Sequence, residues 1–133
     1  MHRSFAFRNN IAPKRTYGFA GGTKSWPLPS PLVTGDGSQT LNAFYLAPVF
    51  AGNVLTGSTP ADYSGYPGNF FPATDAEVGF VDISRGNYRL GPGSPYKNAA
   101  TDGKDPGASI DALEAATAGA LSGAWIPVSP PRR

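Results

Sequence analysis

Two short segments of this 133-residue chain carry the same pattern. Phe7-x-x-Asn10-Ile11 and Phe50-x-x-Asn53-Val54 each place an aromatic, two residues, an asparagine and an aliphatic in that order. Self-similarity of this kind points to stacking, in which like residues of successive segments sit above one another. Asparagine suits the tight bends such stacking needs, because it tolerates left-handed dihedrals and bonds nearby backbone. Ser4 to Ile11 alternates apolar and polar residues, so Phe5, Phe7 and Ile11 share one face of a strand that Ala12-Pro13 ends. Pro48 to Leu55 reads as strand again.

The stretch from Val78 to Leu113 is the best patterned. It reads as a short strand, a tight turn, a second strand, a Gly/Pro bend and an Asp/Gly-rich crossing into a helix. That helix spans 109–123: Ser109 can cap it, Asp111 favours its dipole, and Ile110, Leu113, Thr117 and Leu121 lie near one face. Elsewhere, Pro27, Pro29, Pro31 and Gly35-Asp36-Gly37 mark 23–40 as an extended Pro-rich loop with Trp26, Leu28 and Leu32 packing down. Leu41 to Leu46 could be strand or one turn of helix. The tail, 124–133, offers Trp125, Ile126 and Val128 for docking before its prolines.

Seventeen glycines and fourteen prolines raise disorder as an alternative, but sixteen aromatics at strand-like positions argue for a folded, loop-rich chain. The expected class is mainly β, in one domain. No cysteine is present, which excludes disulfides, a thiol nucleophile and a cysteine zinc site. No apolar run is long enough to span a bilayer, and 1–13 lacks the apolar core of a signal peptide; if the protein is exported, its signal has been removed or it belongs to a longer precursor. Arg3, Arg8, Lys14, Arg15 and Lys24 crowd the first twenty-four residues without an acid, whereas 25–84 holds Asp36, Asp62, Asp75, Glu77 and Asp82 without a base. This asymmetry suits a solvated basic edge, a basic end meeting an acidic surface on a neighbouring copy, or, with less support, a nucleic-acid arm.

Phe80-Val81-Asp82, Asn87-Tyr88-Arg89-Leu90, Gly93-Ser94-Pro95 and Thr101-Asp102-Gly103-Lys104-Asp105-Pro106-Gly107 resemble the C-terminal end of right-handed parallel β-helix proteins of the pectate-lyase-like superfamily. Phe50 to Val54 and Gly68 to Pro72 resemble the segments before it. The resemblance implies a short right-handed parallel β-helix of few coils, with long loops and one C-terminal helix. Its strands would occupy 1–22, and its terminal coils and aromatic loop 41–108. It also implies an extracellular or cell-surface, polysaccharide-associated terminal module without catalysis. Alternatives are a structural subunit of a filament or larger assembly, and a remnant of a polysaccharide lyase or hydrolase. The many coils that precede this ending in the family are missing, so no catalytic residue carries over.

A raw N-terminal end would leave unpaired backbone and uncovered rings, so Phe5, Phe7, Ile11 and Trp125 are candidate assembly residues. The partner would be another copy, in a homo-oligomer or filament, or upstream β-helix coils on another chain. Tyr63, Tyr66, Phe70 and Phe71, on a loop between glycines and prolines, could stack on sugar rings or fill a small core. Arg85 and Arg89 could bind an acidic sugar. Asp102, Asp105 and Asp111 could supply oxygen ligands to calcium, though DG and DPG also read as turns. His2 and Ser94 lack the partners of a catalytic base or nucleophile.

Overall fold

A computed structural model describes residues 2–16, 18–20 and 37–120. The chain runs β1 (His2–Arg3), β2 (Ala6–Arg8), β3 (Ile11–Pro13), α1 (Gly37–Phe44), β4 (Tyr45–Leu46), β5 (Val49–Ala51), β6 (Val54–Thr56), β7 (Phe80–Asp82), β8 (Asn87–Leu90) and α2 (Ile110–Thr117). Strands β1, β2 and β3 pair in parallel with β4, β5 and β6, and the register sets Phe7 against Phe50 and Ile11 against Val54. The repeated residues therefore do lie above one another.

The bends repeat as well. Ser4 and Asn9 in the first tier, and Ala47 and Gly52 in the second, all have positive φ, at matching positions. Gly52 is glycine for a second reason: a Cβ there would lie 2.3 Å from Asn9 Oδ1, an atom that accepts hydrogen bonds from the Thr101 amide and hydroxyl.

A third tier exists that the repeat analysis did not include. Tyr66-x-x-Asn69-Phe70 has the same pattern, and Phe70 forms a single parallel bridge with Val54. Pro67 and Pro72 flank this tier and bring no N–H to a ladder, so it stays a bridge and does not become a strand.

The expected short right-handed parallel β-helix is not what the chain forms. Among the described residues each sheet has only two strands, no closed or solenoid arrangement results, and two α-helices are present instead of one, so the fold is small and mixed. The physical reason lies beyond tier three, where the chain turns back on itself. Asp82 accepts a bond from the Arg85 amide, a 3-10 turn spans Ile83–Arg85, and Gly86 with φ 74° completes an antiparallel β7–β8 hairpin. The additional helix, α1, starts at Gly37, inside the segment read as a Pro-rich loop, and continues through what was left open as strand or helix. Residues 23–36, with their prolines and Trp26, Leu28 and Leu32, lie outside the described residues. So do Leu121, Gly123 and the tail with Trp125.

Neighbouring residues feed two cores on opposite sides of the tiers, as strand alternation requires. Leu55 joins Leu41, Phe50 and Tyr63 in one, and Val54 joins Val78 and Leu90 in the other. In the first, Phe7, Phe50, Tyr63 and Phe71 stack in sequence at centroid distances of 5.5, 5.0 and 5.8 Å. Phe19 meets Phe7 and Phe50 edge-on. Offset stacks and edge contacts each add roughly 0.5–1.5 kcal/mol beyond area burial. The second core is closed by Ser94, whose hydroxyl donates to the Val78 carbonyl at 2.6 Å; this accounts for the Gly-Ser-Pro turn structurally. Helix α2 is capped by Ser109, whose hydroxyl accepts from the Ala112 amide. No described helix is long and apolar enough to cross a membrane.

Candidate functional site

Between the cores runs a ladder of asparagines. The Asn10 amide and Nδ2 both donate to Asn53 Oδ1, at 3.0 and 3.2 Å. One tier on, the Asn53 amide and Nδ2 donate to Asn69 Oδ1, at 3.0 and 2.9 Å. Asn53 Nδ2 also reaches back to the Phe7 carbonyl, and Asn69 Nδ2 to the Phe50 carbonyl. Asn53 is fully buried. Each side-chain oxygen thus receives two bonds from the tier before it. Asn10 Oδ1 accepts no bond among the described residues, while its Nδ2 turns also to the carbonyl of Arg8.

The same one-sidedness holds along the backbone. The Asn9 and Lys14 amides donate to Ala51 and Thr56, and the Phe5 and Asn10 carbonyls accept from Val49 and Val54. Alternation then turns the N–H and C=O groups of Ala6, Arg8 and Ile11 away from the second tier. Among the described residues, strands β1–β3 therefore present an edge paired on one side only, interrupted at the Asn9 bend, whose carbonyl accepts from the Gly107 amide. Its side chains are basic: His2, Arg3, Arg8 and Arg15 are exposed, and no acid lies in 2–16. Of the candidate assembly residues, Phe5, Phe7 and Ile11 are half-buried in this tier. Phe5 stacks on Tyr45 at 4.0 Å.

Lys14 is the one base of the edge turned inward, to Asp62 Oδ2 at 2.9 Å. That bond, followed by the Thr59 amide and hydroxyl contacts, holds the Asp62 carboxyl below its usual range. Because the folded value is depressed, the pair stabilises the fold at every pH above the unfolded carboxylate value of ~3.9, and this is lost as pH falls through the folded value. Thermal melts of Asp62→Asn should therefore lie below wild type at pH 7 and converge with it as pH falls through the lowered folded value of the carboxyl. A constant difference across that range would contradict the assignment.

A polar cleft of about 500 Å³ lies between β8 and the 97–111 segment. It brings Arg89, Asp102, Asp105 and Asp111 together beside the exposed ring of Tyr88. Each carboxylate has its own partner. Asp105 binds Lys97 Nζ at 2.6 Å and the Asn98 amide, which together hold it below the usual carboxylate range. Asp111 and Glu114 both bind Arg89 and push its guanidinium further up. Asp102 accepts from the Lys104 amide. Among the described residues no group of three or more His, Cys, Asp or Glu side chains is placed to hold a metal ion.

The other sequence candidates are dispersed. Arg85 is exposed on the hairpin turn, 3.7 Å from Asp82. Tyr63 is 4% exposed, and burial raises its phenol. Tyr66 donates to Asn42 Oδ1 at 2.6 Å. Phe70 packs edge-on to Tyr96, and Phe71 stacks on Tyr63. These four rings are engaged chiefly with the cores. Asn10, Asn53 and Asn69 were readable only in part: the pattern in the first two was legible, and the third became visible once Tyr66 was aligned with Phe50. Comparison with protein-family models, with curated proteins and with solved structures found no match.

Proposed function

We propose that this chain is a structural module that associates with further copies of itself through the open edge of β1–β3. The observation that carries the reading is that three consecutive strands are each paired on one side only among the described residues. Unpaired strand edges template the addition of another strand unless charge, proline or a covering element blunts them. Here the charge is of one sign, so it repels an identical edge and attracts an acidic one. Acidic surface is available on the same chain: in residues 57–78, which hold no base, Glu77 is exposed and Asp75 half-buried, while Asp62 is already bound to Lys14. Opposite-sign surfaces of this kind raise association rates and select partners more than they add raw affinity.

The test uses Ala6→Pro. Ala6 is exposed and its N–H points away from β5, so the substitution removes an outward donor and leaves the pairing with Val49 through its neighbours. Light scattering of the full chain from about 1 to 100 μM should show mass rising with concentration for wild type. For Ala6→Pro the midpoint should shift upward about tenfold, as expected for loss of roughly 1.4 kcal/mol. Equal masses for the two proteins at every concentration would contradict the proposal.

A further inference from the structure

The geometry points to a head-to-tail stack, in which the Asn69 end of one copy seats in parallel on the Asn10 edge of the next. This inference rests on the proposed association through β1–β3 and specifies what occupies that edge. The two ends of the chain have complementary vacancies. At the first tier, Asn10 Oδ1 lacks the two donors that Asn53 Oδ1 and Asn69 Oδ1 each receive. At the third tier, the Asn69 amide donates to nothing among the described residues and is the one donor on offer there, because Asn69 Nδ2 is bound to the Phe50 and Tyr66 carbonyls.

The backbone matches in the same register. Phe70 directs both its N–H and its C=O at the second tier, to the Asn53 carbonyl and from the Leu55 amide. Asn69 and Phe71 on either side of it face the other way. Their outward C=O and N–H are the partners that the outward N–H and C=O of Ile11 require in a parallel ladder. Among the described residues the face-to-face ring stack also ends with Phe7 at the first tier, met edge-on by Phe19, and with Phe71 at the third. A shallow depression lined by Tyr63, Tyr66, Asn69 and Phe71 lies at that third-tier end.

Charge favours the same choice. The first-tier edge exposes Arg3, Arg8 and Arg15 without an acid, and the segment after the third tier exposes Glu77 and holds no base, its Asp62 being already bound to Lys14 of the same chain. Two first-tier edges would pair like with like. A contact between different surfaces of identical chains does not close on itself by a two-fold axis, so it propagates into an open filament, or into a ring where the rotation between copies closes.

The ladder fixes the register: with Asn69 over Asn10, Pro67 lies opposite Arg8. Both are exposed, and the chain has no cysteine of its own. Arg8→Cys and Pro67→Cys can therefore report the contact by disulfide formation. Within one chain these positions are two tiers apart, about 9.6 Å at ~4.8 Å per strand spacing, beyond the ~7 Å that a disulfide spans. Under mild oxidation at low salt, the full chain carrying both substitutions should give a non-reducing gel ladder of dimers, trimers and longer species. Each single variant should remain uncross-linked, and an equimolar mixture of the two should stop at dimers. Melting curves matching wild type would verify that the variants fold.

Disulfide dimers of Arg8→Cys alone, with no ladder from the double variant, would overturn the head-to-tail arrangement while leaving association through β1–β3 standing. No cross-link in any variant, together with light scattering that shows a monomer at every concentration for wild type, would overturn both.

Discussion

Replacing Asn53 with alanine is expected to lower the melting temperature by on the order of 10 °C, the largest loss expected from removing a single polar side chain of this protein. Asn53 is fully buried, and its side chain engages groups in both neighbouring tiers. Its oxygen receives the Asn10 amide, and its nitrogen supplies the Phe7 carbonyl and Asn69 Oδ1. Alanine leaves these groups without their partner in a region that water does not reach easily. An orphaned buried donor or acceptor costs about 1–3 kcal/mol, so the combined effect is about 3 kcal/mol or more. Asn53→Asp is a sharper control. It preserves the acceptor and replaces the donating NH2 with a carboxylate beside the Phe7 carbonyl, so it should be at least as damaging at pH 7. Calorimetry of the three proteins under one buffer checks the order.

Phe50→Ala is the second large effect. Its ring is 3% exposed, stacked between Phe7 and Tyr63 and met edge-on by Phe19 and Tyr66. Truncating such a ring typically costs about 3–5 kcal/mol, because the lost transfer energy and the cavity add. The rings around it belong to all three tiers, so the loss should be cooperative. Urea denaturation should show an early midpoint, with no separate early transition for residues 2–14. Phe50→Leu, which keeps most of the apolar volume, should recover more than half of the loss. Equal stability of the alanine and leucine variants would show that the ring stack contributes nothing beyond the pairing of β2 with β5.

How far the sequence was legible follows from these same residues. Phe7-x-x-Asn10-Ile11 and Phe50-x-x-Asn53-Val54 predict in-register stacking, and that is how β2–β3 and β5–β6 pair. The asparagines were expected at bends; Asn9 does sit at one, while Asn10 and Asn53 turn inward as the ladder. The third unit, Tyr66-x-x-Asn69-Phe70, was hidden because Pro67 and Gly68 interrupt it and make it look like loop. A repeat specifies how one tier sits on another, but it does not state how many tiers follow. That number depends on where the chain reverses, and here Asp82, Gly86 and the β7–β8 pairing reverse it. For the same reason a solenoid was over-read from a sound local signal.

Helix α1 was missed for a local reason. Gly35-Asp36-Gly37 marks a turn by composition, yet Gly37 opens the helix because Tyr63 occupies the space where a Cβ would project. That contact is long-range and leaves no trace in the window around residue 37. The polar cleft was legible residue by residue but not as one place. Arg89 and the three aspartates were singled out for different chemistry; Asp102 and Asp105 find Lys104 and Lys97 within their own turn, whereas the pairing of Arg89 with Asp111 and Glu114 depends on how β8 meets α2.

The most direct test of the account follows individual amides as concentration rises. In dilute solution hydrogen exchange should be slow at Phe7, Asn9 and Lys14, whose N–H groups face the second tier, and fast at Ala6, Arg8 and Ile11, which face outward. On raising the protein from about 1 to several hundred μM, Ala6, Arg8 and Ile11 should become protected at least tenfold while Phe7, Asn9 and Lys14 stay as they were. If Ala6, Arg8 and Ile11 exchange at the same fast rate at every concentration, the edge of β1–β3 takes no strand and the proposed function falls.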